Sequence, residues 1–424
     1  MQENIQHAVS VMAIEHIVGI YLGLMILACL VGTVAKRITH LPYTIFLTLV
    51  GLVIGIFHLG PSPEEFGFGH ELIFFVFLPP LLFQGAFHIK LKHLMKNIWP
   101  VLSFAIPGVI ISTVVCGAIF GWSIGIGAGM IAMLFGALIS PTDPVSVLAL
   151  FKEVGAPDDL KILVEGESLL NDATGVVIFG ILFEALIKGT DLSVFHAVSN
   201  FISVSGGGLV IGFACGFTAF LFLRKLEDHL LENAICITLA YGAFWLAEYF
   251  HMSGVIATVT AGVIIGNHGK KFSMSSKTTE TVEIFFESID FLLNSMLFIL
   301  IGLELKELPS QLPDGITTVT VVLGAIAAML ISRALVSYVF YWLGNKVGTK
   351  RPDSWKHIIF WGGLRGSIPI ALLLHLPYEA ITPSGIMLVK YRPALILAGF
   401  ACVAFSLIVQ GTTMKPIMKK LKIV

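Results

Sequence analysis

The sequence predicts an all-α polytopic membrane protein with thirteen transmembrane helices. Three observations predict it. Of 424 residues, 56% are hydrophobic and only 12% are charged, against about 25% charged residues in a soluble domain. The apolar residues fall into runs separated by short polar loops, and about 20 apolar residues suffice to cross a ~30 Å hydrocarbon core. Lys and Arg then alternate between the two sides of the runs, as the excess of basic residues in inward loops requires.

The predicted spans lie near 12–35, 41–59, 70–89, 98–121, 124–151, 159–188, 194–223, 229–250, 253–267, 280–304, 316–345, 355–376 and 392–414. With the N-terminus outside, inward loops collect 20 of the 26 basic residues, from Lys36 and Arg37 to Lys420 and Lys422. The outward loops hold four, Lys188, Lys306, Lys390 and Arg392, while Arg333 and Arg365 lie inside spans. The C-terminus is therefore expected inside. No basic leader region precedes the first span, which is expected to be retained. The five cysteines, Cys29, Cys116, Cys215, Cys236 and Cys402, all sit in apolar runs without a CxxC or His/Cys ligand spacing. Neither a disulfide framework nor a zinc site is supported. The absence of a GxxxxGK[ST] segment argues against ATP-driven transport.

Thirteen spans divide as six, one and six, so spans 1–6 and 8–13 would form two inverted repeats. Inverted repeats are common in secondary transporters. Two spans in corresponding places are interrupted. Span 5 carries Ser140-Pro141-Thr142-Asp143-Pro144, and two prolines three apart remove donors and clash with the preceding turn. Span 12 carries Gly362-Gly363-Leu364-Arg365-Gly366-Ser367-Ile368-Pro369, a poor continuous helix. Unwound backbone at membrane depth is tolerated where it is buried in protein or lines a cavity. Paired interruptions of this kind point to a transport site.

Span 6 carries Glu165-Gly166-Glu167-Ser168-Leu169-Leu170-Asn171-Asp172 inside an apolar segment. Ionisable groups there are costly to desolvate and mark a functional site. Ser168 and Asp172 are four apart and share a helix face; Glu167 and Asn171 share a neighbouring one. Asp172 is at once an oxygen ligand for a hard monovalent cation and a titratable group. Asp143, Thr142 and the carbonyls freed by Pro141 and Pro144 would add oxygens. A cation and a proton competing for one carboxylate would couple their opposite movements. Glu167 reads as structural, with Arg333 or Arg365 as its cationic partner. Glu283, Glu287 and Asp290 line one face of span 10, either an inward funnel that attracts cations or a plain polar face at the membrane edge. Glu15 and Glu248, near outer ends, read as solvated.

Four stretches together resemble the NhaP/NHE branch of the cation–proton antiporters. They are Phe77-Leu78-Pro79-Pro80-Leu81-Leu82-Phe83, Ser140 to Val145, Glu165 to Asp172 and Gly362-Gly363-Leu364-Arg365-Gly366, in the family's order across spans 3 to 12. The resemblance implies a homodimer in the cell (inner) membrane that exchanges Na⁺, Li⁺ or K⁺ for H⁺. The exchange would be electroneutral, one for one, by elevator-like alternating access and without a cofactor. It divides the chain into residues 1–97 (spans 1–3, the first part of a dimerisation domain) and 98–190 (spans 4–6, half of the transport core). Residues 191–315 would be linker and dimerisation spans 7–10, and 316–424 the other core half, spans 11–13.

Carried over by position, Asp172 would bind ion and proton in turn. Ser168, the Thr142 carbonyl and Asp143 would complete the cation shell, and Asn171 would steady it. Glu167 would pair with Arg333, and Arg365 would lie at the span-12 crossing. One position departs from the pattern: Gln84 stands where many members carry an acid, which removes a negative charge and leaves room for K⁺. The resemblance leads to the expectation of a minimal exchanger without the long regulatory tail of animal relatives. A cation channel and a K⁺-preferring exchanger are the competing readings; the channel lacks a TVGYG-like filter. No GxSG nucleophile or HExxH site suggests an enzyme, and nothing suggests a nucleic-acid partner.

Overall fold

The computed structural model describes residues 19–34, 43–57, 73–190, 193–226, 228–306, 308–347, 350–379, 386–421 and 423. Glu15, Lys36, Arg37 and the starts of the first three predicted spans lie outside the described residues. Among the described residues every regular element is helical and there is no strand. In chain order the helices are α1 (Gly19–Val34), α2 (Tyr43–Ile56), α3 (Leu78–His88), α4 (Ile98–Ser123), α5 (Met130–Ile139), α6 (Val145–Val154), α7 (Asp158–Lys188) and α8 (Val194–Leu223). There follow α9 (His229–Tyr249), α10 (Gly254–Ile264), α11 (Ser276–Glu304), α12 (Thr318–Val347), α13 (Trp355–Trp361), α14 (Ser367–Leu374) and α15 (Ile386–Lys420). Among the described residues, seven helices are long and apolar enough to cross a membrane: α4, α7, α8, α9, α11, α12 and α15. The chain is an integral membrane protein.

Local chemistry sets the helix ends. The side chains of Ser193, Asp228, Ser253 and Ser275 cap the starts of α8, α9, α10 and α11 by accepting backbone N–H bonds, which satisfies donors that have no intrahelical partner. α7 follows Pro157, carries Asp158 and Asp159 in its first turn and stops at Gly189, whose φ of 66° suits glycine. Glu248 is half-buried and accepts the Gly254 N–H at 2.9 Å. It adds a second acceptor at the start of α10 rather than standing in solvent.

Span 13 was placed at 392–414, but its helix begins at Ile386. Lys390 and Arg392 read as outward-loop residues in sequence. In the fold Arg392 is buried within α15 and paired with Glu304 of α11, so its charge does not need the loop.

Packing separates two neighbourhoods. α4, α5, α7, α12, α14 and α15 pack around one another, while α10 packs against α3, α8 and α9. α2 lies along α11. That contact requires glycine: a Cβ on Gly302 would strike the Thr48 carbonyl and come within 3.1 Å of the Gly51 Cα. In a membrane, where helices gain no hydrophobic drive from each other, such close backbone approach supplies van der Waals attraction.

Candidate functional site

The two interruptions meet. α5 ends at Ile139 and α6 begins at Val145; α13 ends at Trp361 and α14 begins at Ser367. The Asp143 N–H donates to the Leu364 carbonyl at 2.8 Å, so the two unwound segments satisfy each other. Arg365 is 1% exposed. Its Nη1 donates to the carbonyls of Ser140 at 2.6 Å and Pro141 at 2.8 Å. These are carbonyls at the C-terminal end of α5, where the helix dipole concentrates negative charge. The Arg365 backbone N–H in turn donates to Ser406 Oγ of α15 at 3.0 Å. A Cβ on Gly366 would fall on the Asp143 carboxylate, so only glycine lets the second break pass so close to the first.

α7 supplies the third wall. Asn171 grips Thr142 twice: its Oδ1 accepts the Thr142 N–H at 3.2 Å and its Nδ2 donates to Thr142 Oγ1 at 2.8 Å. The Ser168 hydroxyl donates to the Thr142 carbonyl. A carbonyl has two lone pairs, so that oxygen keeps a second site for a cation. Asp172, one turn beyond Ser168, is half-buried and lies within electrostatic reach of Asp143 and Arg365. The structure thus brings Asp143, Thr142, Ser168, Asn171, Asp172 and Arg365 to one crossing.

Glu167 faces elsewhere, as its spacing from Asp172 requires. It is 1% exposed and forms a two-pronged pair with Arg333 of α12, one prong at 3.2 Å. Arg333 also donates to the Ile359 carbonyl of α13 at 2.8 Å. Of the two arginines open to Glu167 in sequence, Arg333 takes the carboxylate and Arg365 takes backbone. Glu165 is half-buried with His88, Lys152 and Lys90 as its electrostatic neighbours. Gln84 is half-buried on α3, and its carbonyl contacts His88 Nδ1 at 2.9 Å. The next residue, Gly85, sits against Leu169 of α7, so α3 crosses α7 near the site.

Asp290, on α11, lies within electrostatic reach of Asp143. The acidic face of α11 therefore leads up to the crossing. The sequence reading missed a second buried ion pair, Glu304 with Arg392 and Tyr378. A buried-end Glu in span 10 and an Arg at the start of span 13 were the only signals for it, and neither names the other.

A family model described as "Sodium/hydrogen exchanger, transmembrane" matches residues 25–420. The Na(+)/H(+) antiporter ApNhaP of Aphanothece halophytica is 36% identical over 387 residues, 91% of this chain and 70% of that one. The Na(+)/H(+) antiporter NhaP of Pseudomonas aeruginosa is 35% identical over 420 residues, 93% of this chain and 95% of its own. In fold, the structure of the sodium proton antiporter MjNhaP1 from Methanocaldococcus jannaschii at pH 8 superposes with a TM-score of 0.81. It is 19% identical, and the match covers 96% of this chain and 99% of that one. On the matched family model and these NhaP-type relatives, the chain belongs to the sodium/hydrogen exchanger family.

Proposed function

We propose that this protein is a secondary antiporter that exchanges a monovalent cation, Na⁺, Li⁺ or K⁺, for H⁺. The observation that carries the reading is Asp172 beside the crossed interruptions, with the oxygens of Thr142, Ser168 and Asp143 around the same point. A dehydrated monovalent cation needs oxygen ligands and one negative charge. Asp172 supplies the charge, and the Thr142 carbonyl, Ser168 and Asp143 supply oxygens, the last through water. A proton on Asp172 removes the charge and releases the cation. Either species therefore crosses with the carboxylate, but not both, and one for one exchange is electroneutral.

Sidedness follows from alternating access. The half that holds Asp172, α4–α7 and α12–α15, moves as a transport core against the remaining helices, which form the dimer. In this reading the chain has thirteen spans, twelve of them in two inverted six-span repeats, with the N-terminus outside and the C-terminus cytoplasmic, and works as a homodimer in the cell membrane. Asn171 steadies Thr142, Arg365 neutralises the carbonyls at the crossing, and the Glu167–Arg333 pair holds α7 to α12. Gln84 leaves the site one negative charge short of many relatives, which favours K⁺ as an alternative cargo.

The deciding test is Asp172→Asn in proteoliposomes. Wild-type protein is expected to dissipate an imposed pH gradient only when a monovalent counter-cation is present, with saturation. The variant should fold and lose the exchange. Coupled proton movement that survives the substitution would remove Asp172 from the site. Proton or cation flux without the counter-ion would favour a channel.

A further inference from the structure

A second charged cluster is buried at one end of the molecule, away from Asp172. Glu304, the last residue of α11, and Arg392, near the start of α15, are each 5% exposed. Arg392 Nη2 donates to both Glu304 oxygens, at 3.1 and 3.2 Å. Its Nε donates to the Leu376 carbonyl at 3.0 Å, in the turn that follows α14. Tyr378, from the same turn, donates its hydroxyl to Glu304 Oε1 and lays its ring under the guanidinium, with Cζ 3.8 Å from the ring centroid.

The elements joined are telling. α14 and α15 carry the Gly362–Gly366 break and the Ser406 that holds Arg365. α11 is bound along α2 by the Gly51–Gly302 contact. The cluster therefore fastens the half that builds the ion site to helices outside it. Its level is informative too. Asp290 marks the height of the site on α11, because it is within electrostatic reach of Asp143. Glu304 is fourteen residues further along the same helix, about 21 Å at 1.5 Å per residue. Before Asp290, Glu287 is exposed and Glu283 half-exposed. Around Glu304 the neighbours are buried and apolar: Leu303, Leu308, Leu376 and Leu388. One end of the route carries exposed Glu287 and half-exposed Glu283, the latter paired with Lys270 at 2.7 Å; the other carries buried apolar side chains around a buried ion pair.

We infer that Glu304, Arg392 and Tyr378 form a latch that positions the transport core. They hold it against α11 while the site is reached from the acidic end, and they part when the site is exposed at the other. The inference rests on the alternating-access reading above. Charge suits a reversible contact. A buried ion pair roughly breaks even against apolar packing, and both groups regain hydration when it opens. A leucine cluster of the same area gains no such return.

The test uses the full chain in liposomes and in detergent, as wild type, Glu304→Gln and Tyr378→Phe. Tyr378→Phe keeps the ion pair and the ring, so it serves if Glu304→Gln does not fold. Hydrogen exchange around 299–306, 376–379 and 386–392 should rise in the variants while the crossing at 140–144 and 362–366 stays protected. The apparent KM for the cation presented from the latch side should change by about fivefold, with little change from the other side. A brace without a gating role would instead lower the melting temperature and leave KM alone from both sides; that result, in variants that exchange normally, overturns the latch. Wild-type vesicles that move no protons with any monovalent cation overturn the antiport reading instead.

Discussion

At the scale of single residues, the proposed site depends on Thr142 being held in one conformation, with its carbonyl free to meet a cation. Asn171 does the holding with two hydrogen bonds. Each contributes about 1 kcal/mol net, and leaving the buried Thr142 N–H unmet costs a further ~1–3 kcal/mol. Asn171→Ala is therefore expected to raise the apparent KM for the cation about tenfold or more, measured as cation-driven proton flux. An unchanged KM in folded protein would show that Thr142 is positioned without it. Glu167 answers to different physics. Removing one partner of a buried ion pair strands the other charge, at ~3–5 kcal/mol, so Glu167→Ala should lower the thermal midpoint in detergent far more than Asp172→Asn does. A double Glu167→Met, Arg333→Met variant should recover much of that loss, because no charge is then left without its partner. Equal midpoints for Glu167→Ala and wild type would mean that the pair does not brace α7 against α12. Both roles were readable from spacing, since Asp172 and Glu167 fall on different faces of one helix. The choice between Arg333 and Arg365 was not, because it depends on which helix lies across the Glu167 face.

Among elements, the informative ones are those that stop halfway. Pro141, Pro144 and the Gly362–Gly366 run announce the breaks in α5–α6 and α13–α14, because proline lacks a donor and glycine resists a helical interior. What they do not announce is that the Asp143 N–H bonds to the Leu364 carbonyl. That crossing gives Gly366 its importance. Gly366→Ala should abolish exchange, since the added methyl falls on the Asp143 carboxylate. Gly180→Ala on α7 is the matched control: a Cβ there meets nothing within 4 Å, so exchange should persist. Retained transport in the Gly366 variant would mean the two breaks can separate without harm. α15 shows the opposite failure of local reading. Lys390 and Arg392 read as loop residues, and α15 nevertheless starts at Ile386, because Glu304 takes the charge of Arg392 inside the protein.

For the whole molecule, the proposed antiport reduces the coupling of two fluxes to competition at one carboxylate. Acidification on the cation-loading side is then expected to raise the apparent cation KM, approaching about tenfold per pH unit once the site is mostly protonated, while the rate at saturating cation holds. A rate that falls with constant KM would place the pH response away from the site. The succession of apolar helices, the two interruptions and the faces of α7 are determined by the sequence alone. They follow from local quantities: the apolar run needed to cross a bilayer, the donors that prolines remove, and the 3.6-residue period. Tertiary structure alone decided that Arg365 neutralises the Ser140 and Pro141 carbonyls and that Glu304 finds Arg392 across 88 residues of chain. A charge in a medium with little water must be met by whatever lies within hydrogen-bonding distance in space. Which group that is depends on how the helices cross.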